Sequence, residues 1–295
     1  MTFYNLTLLS FPTPIMKYKE ISKSKYKYKE ILYGTDALKS RTYNIINECY
    51  NVYESNKDHL ENINAYPDFE TSEKEALLHC YTGNTKLVRE LKTAIISQQN
   101  VFYRNNCAYC GLNETKYMDH YLPKDIFPEY AIHYYNLVPC CSYCNEKKSG
   151  YVIDENRNRK VYNPYFENVG EQLILECKLQ CEENTISTRL VIKEDVENQV
   201  YKNHVVTLGL IERYEEQIPR KLATIIFELI VGYEENGIDT AGAKRVMNRK
   251  LSEAERLQGY NSLDALIYRA YLKSDSLFNV GYLKSVYFKL TTQSA

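Results

Sequence analysis

The chain has 295 residues, 44% hydrophobic and 25% charged, which is the make-up of an ordinary globular protein and enough for one large domain or two modest ones. Lysine and arginine (37) nearly balance aspartate and glutamate (38), a formal net charge of −1. That excludes a bulk polycation, so any nucleic acid must be met by a local patch or a metal site. Nine cysteines, an odd number with four at metal-ligand spacing, argue against a secreted disulfide framework and for a reducing compartment.

Residues 1–12 are mildly apolar but lack the basic start and long apolar run of a signal peptide, and no stretch approaches a membrane span. A cytoplasmic protein with no membrane contact is expected. Tyrosine is over-represented, at 29 residues with no tryptophan. AT-rich codon usage accounts for this, with base stacking by a few tyrosines as the alternative.

The run from Lys17-Tyr18-Lys19 to Lys29 alternates lysine and tyrosine. It reads either as a solvated arm or edge segment, or as a segment that grips phosphates and stacks on bases. Between 36 and 64, Ile45, Ile46, Cys49, Val52 and Tyr53 fall near helical spacing and predict a helix. Ser72 with Glu75 predicts a capping box, and Gly83 its stop. A further helix is predicted from Lys86 to about Tyr103, with Leu87, Leu91, Ala94, Ile95 and Ile96 on or near one face.

Cys107-Ala-Tyr-Cys110 and Cys141-Ser-Tyr-Cys144 follow, some thirty residues apart. Each C-x-x-C presents two thiolates from one tight turn, and two such knuckles complete a four-cysteine shell suited to Zn²⁺. Redox pairs are the alternative, but two distant C-x-x-C units without a thioredoxin-like βαβ pattern favour zinc. Cys140 rivals Cys141, yet only Cys141 keeps the x-x spacing to Cys144. Cys49, Cys80, Cys177 and Cys181 read as ordinary buried thiols. The insert between the knuckles carries Asp119-His120, Pro123 and Asn136, and Asn145 follows Cys144 directly. On a strand, adjacent Asp119 and His120 point to opposite faces. Of the other histidines only His133 lies in the insert, where a structural or substrate-side place is expected; His59, His79 and His204 carry no signal.

Beyond the insert, Leu173, Leu175, Cys177 and Leu179 alternate, as do Ile186, Leu190 and Ile192, around Glu182-Glu183-Asn184. This predicts a hairpin over 171–194. From Val196 the pattern is helical, broken near Pro219, Gly237 and Gly259, with an acidic helix pair over 212–235. No repeat of fixed period is present.

In combination and order, Cys107-x-x-Cys110, Asp119-His120, Pro123, Asn136-Leu137-Val138-Pro139 and Cys141-x-x-Cys144-Asn145-x-x-Lys148 resemble the HNH endonuclease family. The likeness covers about 103–166 and is to the type whose two-stranded ribbon, helix and metal are stapled by a four-cysteine zinc. Within the family it looks most like nucleases of bacterial anti-phage systems, such as Septu- and retron-associated ones. The resemblance implies an α+β protein: a zinc-stapled ββα-metal core at 101–166, a helical N-terminal region at 1–100, and a hairpin-plus-helices region at 167–295. It further implies metal-dependent cleavage of DNA, or less favourably RNA, with His120 as general base and Asp119 and Asn145 as ligands of a catalytic Mg²⁺ or Mn²⁺. Many members have His at the position of Asn145, so this chain departs toward an H-N-N form. Asn136 would orient His120, and Lys148 and Lys147 would approach substrate phosphates, with Arg157, Arg159 and Lys160 as a basic rim. An ATPase or other defence subunit is an expected partner, the acidic helices being its contact and the lysine–tyrosine run the nucleic-acid contact. The rival expectation is a non-catalytic zinc module that binds nucleic acid or protein.

Overall fold

The structure is a computed structural model that describes residues 5–9, 13–150, 153–155 and 158–292. It is a mixed helical protein with two small antiparallel sheets, an α+β architecture. The described residues fall into two compact units, one of 5–108 and 112–168, the other of 109–111 and 169–292.

In the first unit the lysine–tyrosine run is folded. Helix α1, Pro14–Lys23, begins on a proline whose missing N–H costs nothing at a helix start, and it buries Tyr18 and Ile21. The Tyr18 hydroxyl donates to the Leu32 carbonyl, 3.0 Å away, at the end of α2 (Lys29–Leu32). Lys23 pairs with Asp36 at 3.0 Å, and Lys25 is buried with its ammonium donating to the His79 carbonyl at 3.0 Å. The tyrosines act as packing and several lysines have internal partners, so the segment is not a solvated arm.

Helix α3, Arg41–Ser55, starts where the Ser40 side chain accepts the Tyr43 N–H, and it buries Ile45, Ile46, Cys49, Tyr50 and Tyr53. Val52 lies off that stripe and stays exposed. Helix α4, Thr71–Thr82, opens one box earlier than Ser72 and Glu75 predict: Glu73 reaches back to the Glu70 N–H at 2.9 Å. Glu73 wins because its carboxylate also takes Arg41 and the Thr42 hydroxyl from α3. Helix α5, Lys86–Ser97, ends six residues before Tyr103. Buried Gln99 donates its amide to the Ile95 carbonyl at 2.8 Å and accepts the Thr7 N–H at 2.8 Å, competing with the backbone that would continue the helix.

Strands β1 (Tyr117–His120) and β2 (Leu137–Cys140) pair antiparallel with Asp119 opposite Val138 and His120 opposite Leu137. Helix α6, Ser142–Lys148, follows β2 at once and packs on β1.

In the second unit, β3 (Leu175–Cys181) and β4 (Ile186–Ile192) form the predicted hairpin, in register from Leu175–Ile192 to Cys181–Ile186. Its turn closes through the Glu182 N–H and the Thr185 carbonyl at 2.9 Å. Then come α7 (Gln199–Thr207), α8 (Leu210–Glu215), α9 (Ile218–Glu235), α10 (Thr240–Gln258), α11 (Leu263–Leu272) and α12 (Val280–Thr292). Pro219 opens α9 instead of breaking it. Gly237 (φ +61°) and Gly259 (φ +89°) do end helices, in the left-handed backbone that glycine enters without cost. Among the described residues no helix is long and apolar enough to cross a membrane.

Candidate functional site

The four cysteines at knuckle spacing come together. Their sulfurs lie within 4.8 Å of one another, all four residues are buried, and none is in a disulfide. A tetrahedral zinc with Zn–S bonds of about 2.3 Å sets sulfurs about 3.8 Å apart, so the donor set fits Zn²⁺. Two local turns produce this arrangement. The first closes through the Cys107 N–H and the Asn113 carbonyl at 2.8 Å, with Gly111 at φ +69°, and the Ala108 N–H donates to the Pro139 carbonyl at 3.0 Å beside β2. The second is the start of α6, where Cys141 is the N-cap and Cys144 sits in the first turn. Cys140, the residue before, is buried but stands outside the cluster.

Sequence reasoning assigned nothing to two residues that brace the first knuckle. Within the second unit, His204 Nε2 lies 3.0 Å from the Tyr109 carbonyl, and the Tyr214 hydroxyl donates to the Cys110 carbonyl at 2.9 Å. A carbonyl can only accept, so Nε2 of His204 carries the proton. Both residues are far from the knuckle in sequence, and no local spacing could have revealed them.

Beside β2, the predicted polar residues gather around β1. Asp119 and His120 are both buried, 6% and 8% exposed, on opposite faces of the strand. His120 Nε2 lies 3.0 Å from the Ala131 carbonyl, so Nε2 is the protonated nitrogen and Nδ1 the one with a lone pair. Burial pushes the imidazole pKa down to about 4, against smaller upward pulls from the Ala131 carbonyl and the Asp119 charge. The ring is therefore neutral at ordinary pH, with a lone pair on Nδ1.

Asn136 secures the loop that supplies that carbonyl. It is fully buried; its oxygen accepts the Leu122 N–H at 2.7 Å, and its amide donates to the carbonyls of Leu122 (3.0 Å) and Tyr130 (3.2 Å). Tyr130 precedes Ala131, so one side chain ties the end of β1 to the peptide next to the one whose carbonyl sets the His120 ring.

Lys148 lies elsewhere than the expected phosphate-facing position. It is 2% exposed, and its ammonium contacts both Asp119 oxygens, at 2.9 and 3.2 Å, and the His120 carbonyl at 3.0 Å. An ammonium at this depth is tolerated because a buried carboxylate faces it. Asn145, half-buried one turn earlier on α6, accepts a weak bond from the Cys140 thiol, with Sγ 4.0 Å from Oδ1. Burial and the nearby Asp119 charge push the Cys140 thiol far up, so it stays protonated and donates.

Of the expected basic rim, Lys147 is exposed, with its ammonium 5.6 Å from the Tyr143 ring. Arg159 turns inward instead, buried between Glu61 and Glu167 at 2.9 Å each. Lys160 is half-buried, and Arg157 lies outside the described residues. His133 is fully buried among tyrosines, 4.2 Å from the Tyr53 ring and 4.5 Å from Tyr50, and burial pushes its pKa down to about 3. That is a packing position. A neighbour that sequence reasoning missed is Tyr81 of α4, whose ring meets the His120 ring edge-on at 4.4 Å.

No protein-family model matches the chain, and no solved structure matches it. The chain is similar in part to the Septu protein PtuB of Bacillus thuringiensis, 34% identical over 79 residues, covering 25% of this chain and 28% of PtuB. It is also similar to Protein ea31 of Escherichia phage lambda, 36% identical over 62 residues, or 21% of each chain. The chain thus spans less than a third of the length of each of these relatives.

Proposed function

We propose that the protein is a metal-dependent endonuclease of the HNH type that serves in bacterial anti-phage defence. The observation that carries this reading is the setting of His120. A neutral imidazole is fixed by a backbone carbonyl at Nε2, with a carboxylate on the opposite face of the same strand and a four-cysteine cluster beside the paired strand. The local likeness to a Septu protein supports the defence role.

In this reading His120 Nδ1 takes a proton from water as the water oxygen bonds to phosphorus and the bond to the 3′-oxygen breaks. Asn136 holds the 130–131 peptide and thereby the ring. Asp119 and Asn145 offer a carboxylate and an amide oxygen, the donor types that suit a hard ion such as Mg²⁺ or Mn²⁺, and Lys148 keeps Asp119 in place. When bound, such an ion neutralises charge that builds on the phosphate and the leaving oxygen. The zinc held by Cys107, Cys110, Cys141 and Cys144 is structural. DNA is the favoured substrate and RNA the alternative. Helices α8 and α9 and the turn between them expose Glu212, Glu216 and Glu235; carboxylates repel polyphosphate, and we assign the contact with a partner subunit, an ATPase by the same resemblance, to this helix pair.

The test is incubation of the zinc-loaded protein with supercoiled plasmid, single-stranded DNA and total RNA, with Mg²⁺, Mn²⁺ or chelator. His120→Ala should retain the fold and lose about 10²–10⁴-fold in cleavage, the usual worth of a general base. Cleavage by His120→Ala at the parent rate overturns the assignment. One observation favours a second reading, a non-catalytic zinc module: the Asp119 carboxylate is already neutralised by Lys148. That reading predicts binding to at least one nucleic acid with no cleavage under any metal.

A further inference from the structure

The helices ahead of the first knuckle bring two groups to His120 that its own strand does not supply. Tyr81 comes from the last turn of α4. Its ring meets the His120 imidazole edge-on, with centroids 4.4 Å apart and planes at 75°, and its hydroxyl donates to the Met118 carbonyl at 3.4 Å. Lys92 comes from the middle of α5, and its ammonium lies 4.0 Å from the centroid of the same Tyr81 ring. One tyrosine ring therefore touches both the imidazole and the ammonium.

Lys92 differs from most of the sheltered lysines of this unit in what satisfies it; half-buried Lys19 also meets only a tyrosine ring, but at 5.9 Å from the Tyr33 centroid against 4.0 Å for Lys92. Lys148 has Asp119, Lys17 has Glu20, Lys124 has Asp125, and Lys25 has a backbone carbonyl. Lys92 is half-buried, and among the described residues no carboxylate lies within ion-pair distance of it. Partial burial lowers its pKa, and the π-face of Tyr81 is the compensation in view. A cation–π contact fixes the position of an ammonium without neutralising its charge, which leaves that charge available to an anion that arrives later.

We propose that Lys92 is a substrate-binding residue that holds a backbone phosphate of the nucleic acid beside His120, with Tyr81 positioning both side chains. The proposal deepens the nuclease reading and rests on it. It gives the role expected of Lys148, which is committed to Asp119, to a lysine of α5, and leaves exposed Lys147 as the outward lysine of α6. It also gives the helical region a direct part in substrate binding. Tyr81 acts through its ring, so Tyr81→Phe should behave as the parent and Tyr81→Leu should not.

Binding is measured separately from cleavage, in a zinc-loaded His120→Ala background, by fluorescence anisotropy of a labelled oligonucleotide across a series of salt concentrations. Lys92→Met removes the charge but keeps the apolar stem, so it should fold as its parent does. It should weaken binding by about tenfold and lower the salt slope by about one, the loss of one phosphate contact. Lys92→Arg should restore both. Lys86→Ala, an exposed lysine on the same helix, should change neither. In the cleaving protein, Lys92→Met should raise KM more than it lowers kcat, since the contact is made before and during the reaction. An unchanged affinity and slope for Lys92→Met, with a parent that binds and cuts, overturns the inference and leaves the nuclease reading standing. A parent that binds no oligonucleotide overturns both.

Discussion

Lys148 offers the sharpest test of how the site is built, because its expected surface role and its observed buried role predict opposite outcomes. A surface lysine replaced by methionine changes stability by a few tenths of a kcal/mol. Lys148 is 2% exposed and gives its ammonium to both Asp119 oxygens and to the His120 carbonyl. Lys148→Met therefore strands a buried carboxylate and a buried carbonyl, a loss of about 3–5 kcal/mol when one partner of a buried pair is removed. For a unit of this size each kcal/mol shifts the melting midpoint by about 2–4 °C, so a fall on the order of 10 °C is expected. Replacing Asp119 as well, in Asp119→Asn with Lys148→Met, removes the stranded charge and should recover most of that loss. The assay is thermal and urea denaturation of the parent, both single variants and the double variant at neutral pH, with zinc content matched. A Lys148→Met variant as stable as the parent refutes the buried-pair account. So does a double variant no better than Lys148→Met alone.

Two further outcomes follow from the metal cluster and from a buried acid. Protein purified without added zinc should carry about one zinc per chain; Cys107→Ser should lose both the metal and the folded state of the strand pair, since a structural zinc contributes folding energy directly, whereas Cys140→Ser should keep the metal. Zinc-free protein that melts as cooperatively as the parent counts against the first statement. Burial pushes the Glu129 carboxyl up to about 7, with the backbone N–H of Tyr66 pulling weakly the other way from 2.9 Å. The folded chain thus binds a proton there that the unfolded chain has lost above about pH 4.5, so this contribution is full below pH 4.5 and is lost as pH rises through 7. It amounts to a few kcal/mol. Glu129→Gln should flatten the slope of stability between pH 5 and 8, and an unchanged slope would assign the dependence to other groups.

Much of the helical and strand pattern was legible because it depends on neighbours a few residues apart. The 3.6-residue stripe of Ile45, Ile46, Cys49 and Tyr53 became the buried face of α3, and the alternation around Leu175 and Leu190 became the hairpin. What was misread depended on distant partners. The capping box of α4 moved to Glu73 because Arg41 and Thr42, some thirty residues earlier, reward that carboxylate. Helix α5 stopped at Ser97 because Gln99 had Thr7 to bond. The lysine–tyrosine run looked solvated because its charge is local, whereas its burial is set by Leu32 and His79.

In the candidate site the same division holds, with one exception. The four-cysteine cluster was readable because each knuckle is a local turn whose spacing encodes its geometry. Tyr81, Lys92, His204 and Tyr214 were not, since nothing in their own neighbourhoods marks them. Lys148 is the exception, for a local signal existed and pointed inward. It stands four residues after Cys144, and residues four apart share one face of a helix. Cys144 must face the buried sulfur cluster, so Lys148 must lie on the inner side of α6, while Lys147 follows Tyr143 outward. A lysine forced inward needs an acid, and Asp119 is the strand residue that the buried ammonium reaches. By helical face, Lys148 pairs with Asp119 from the sequence alone, and the only α6 lysine then left to face a phosphate is the outward Lys147.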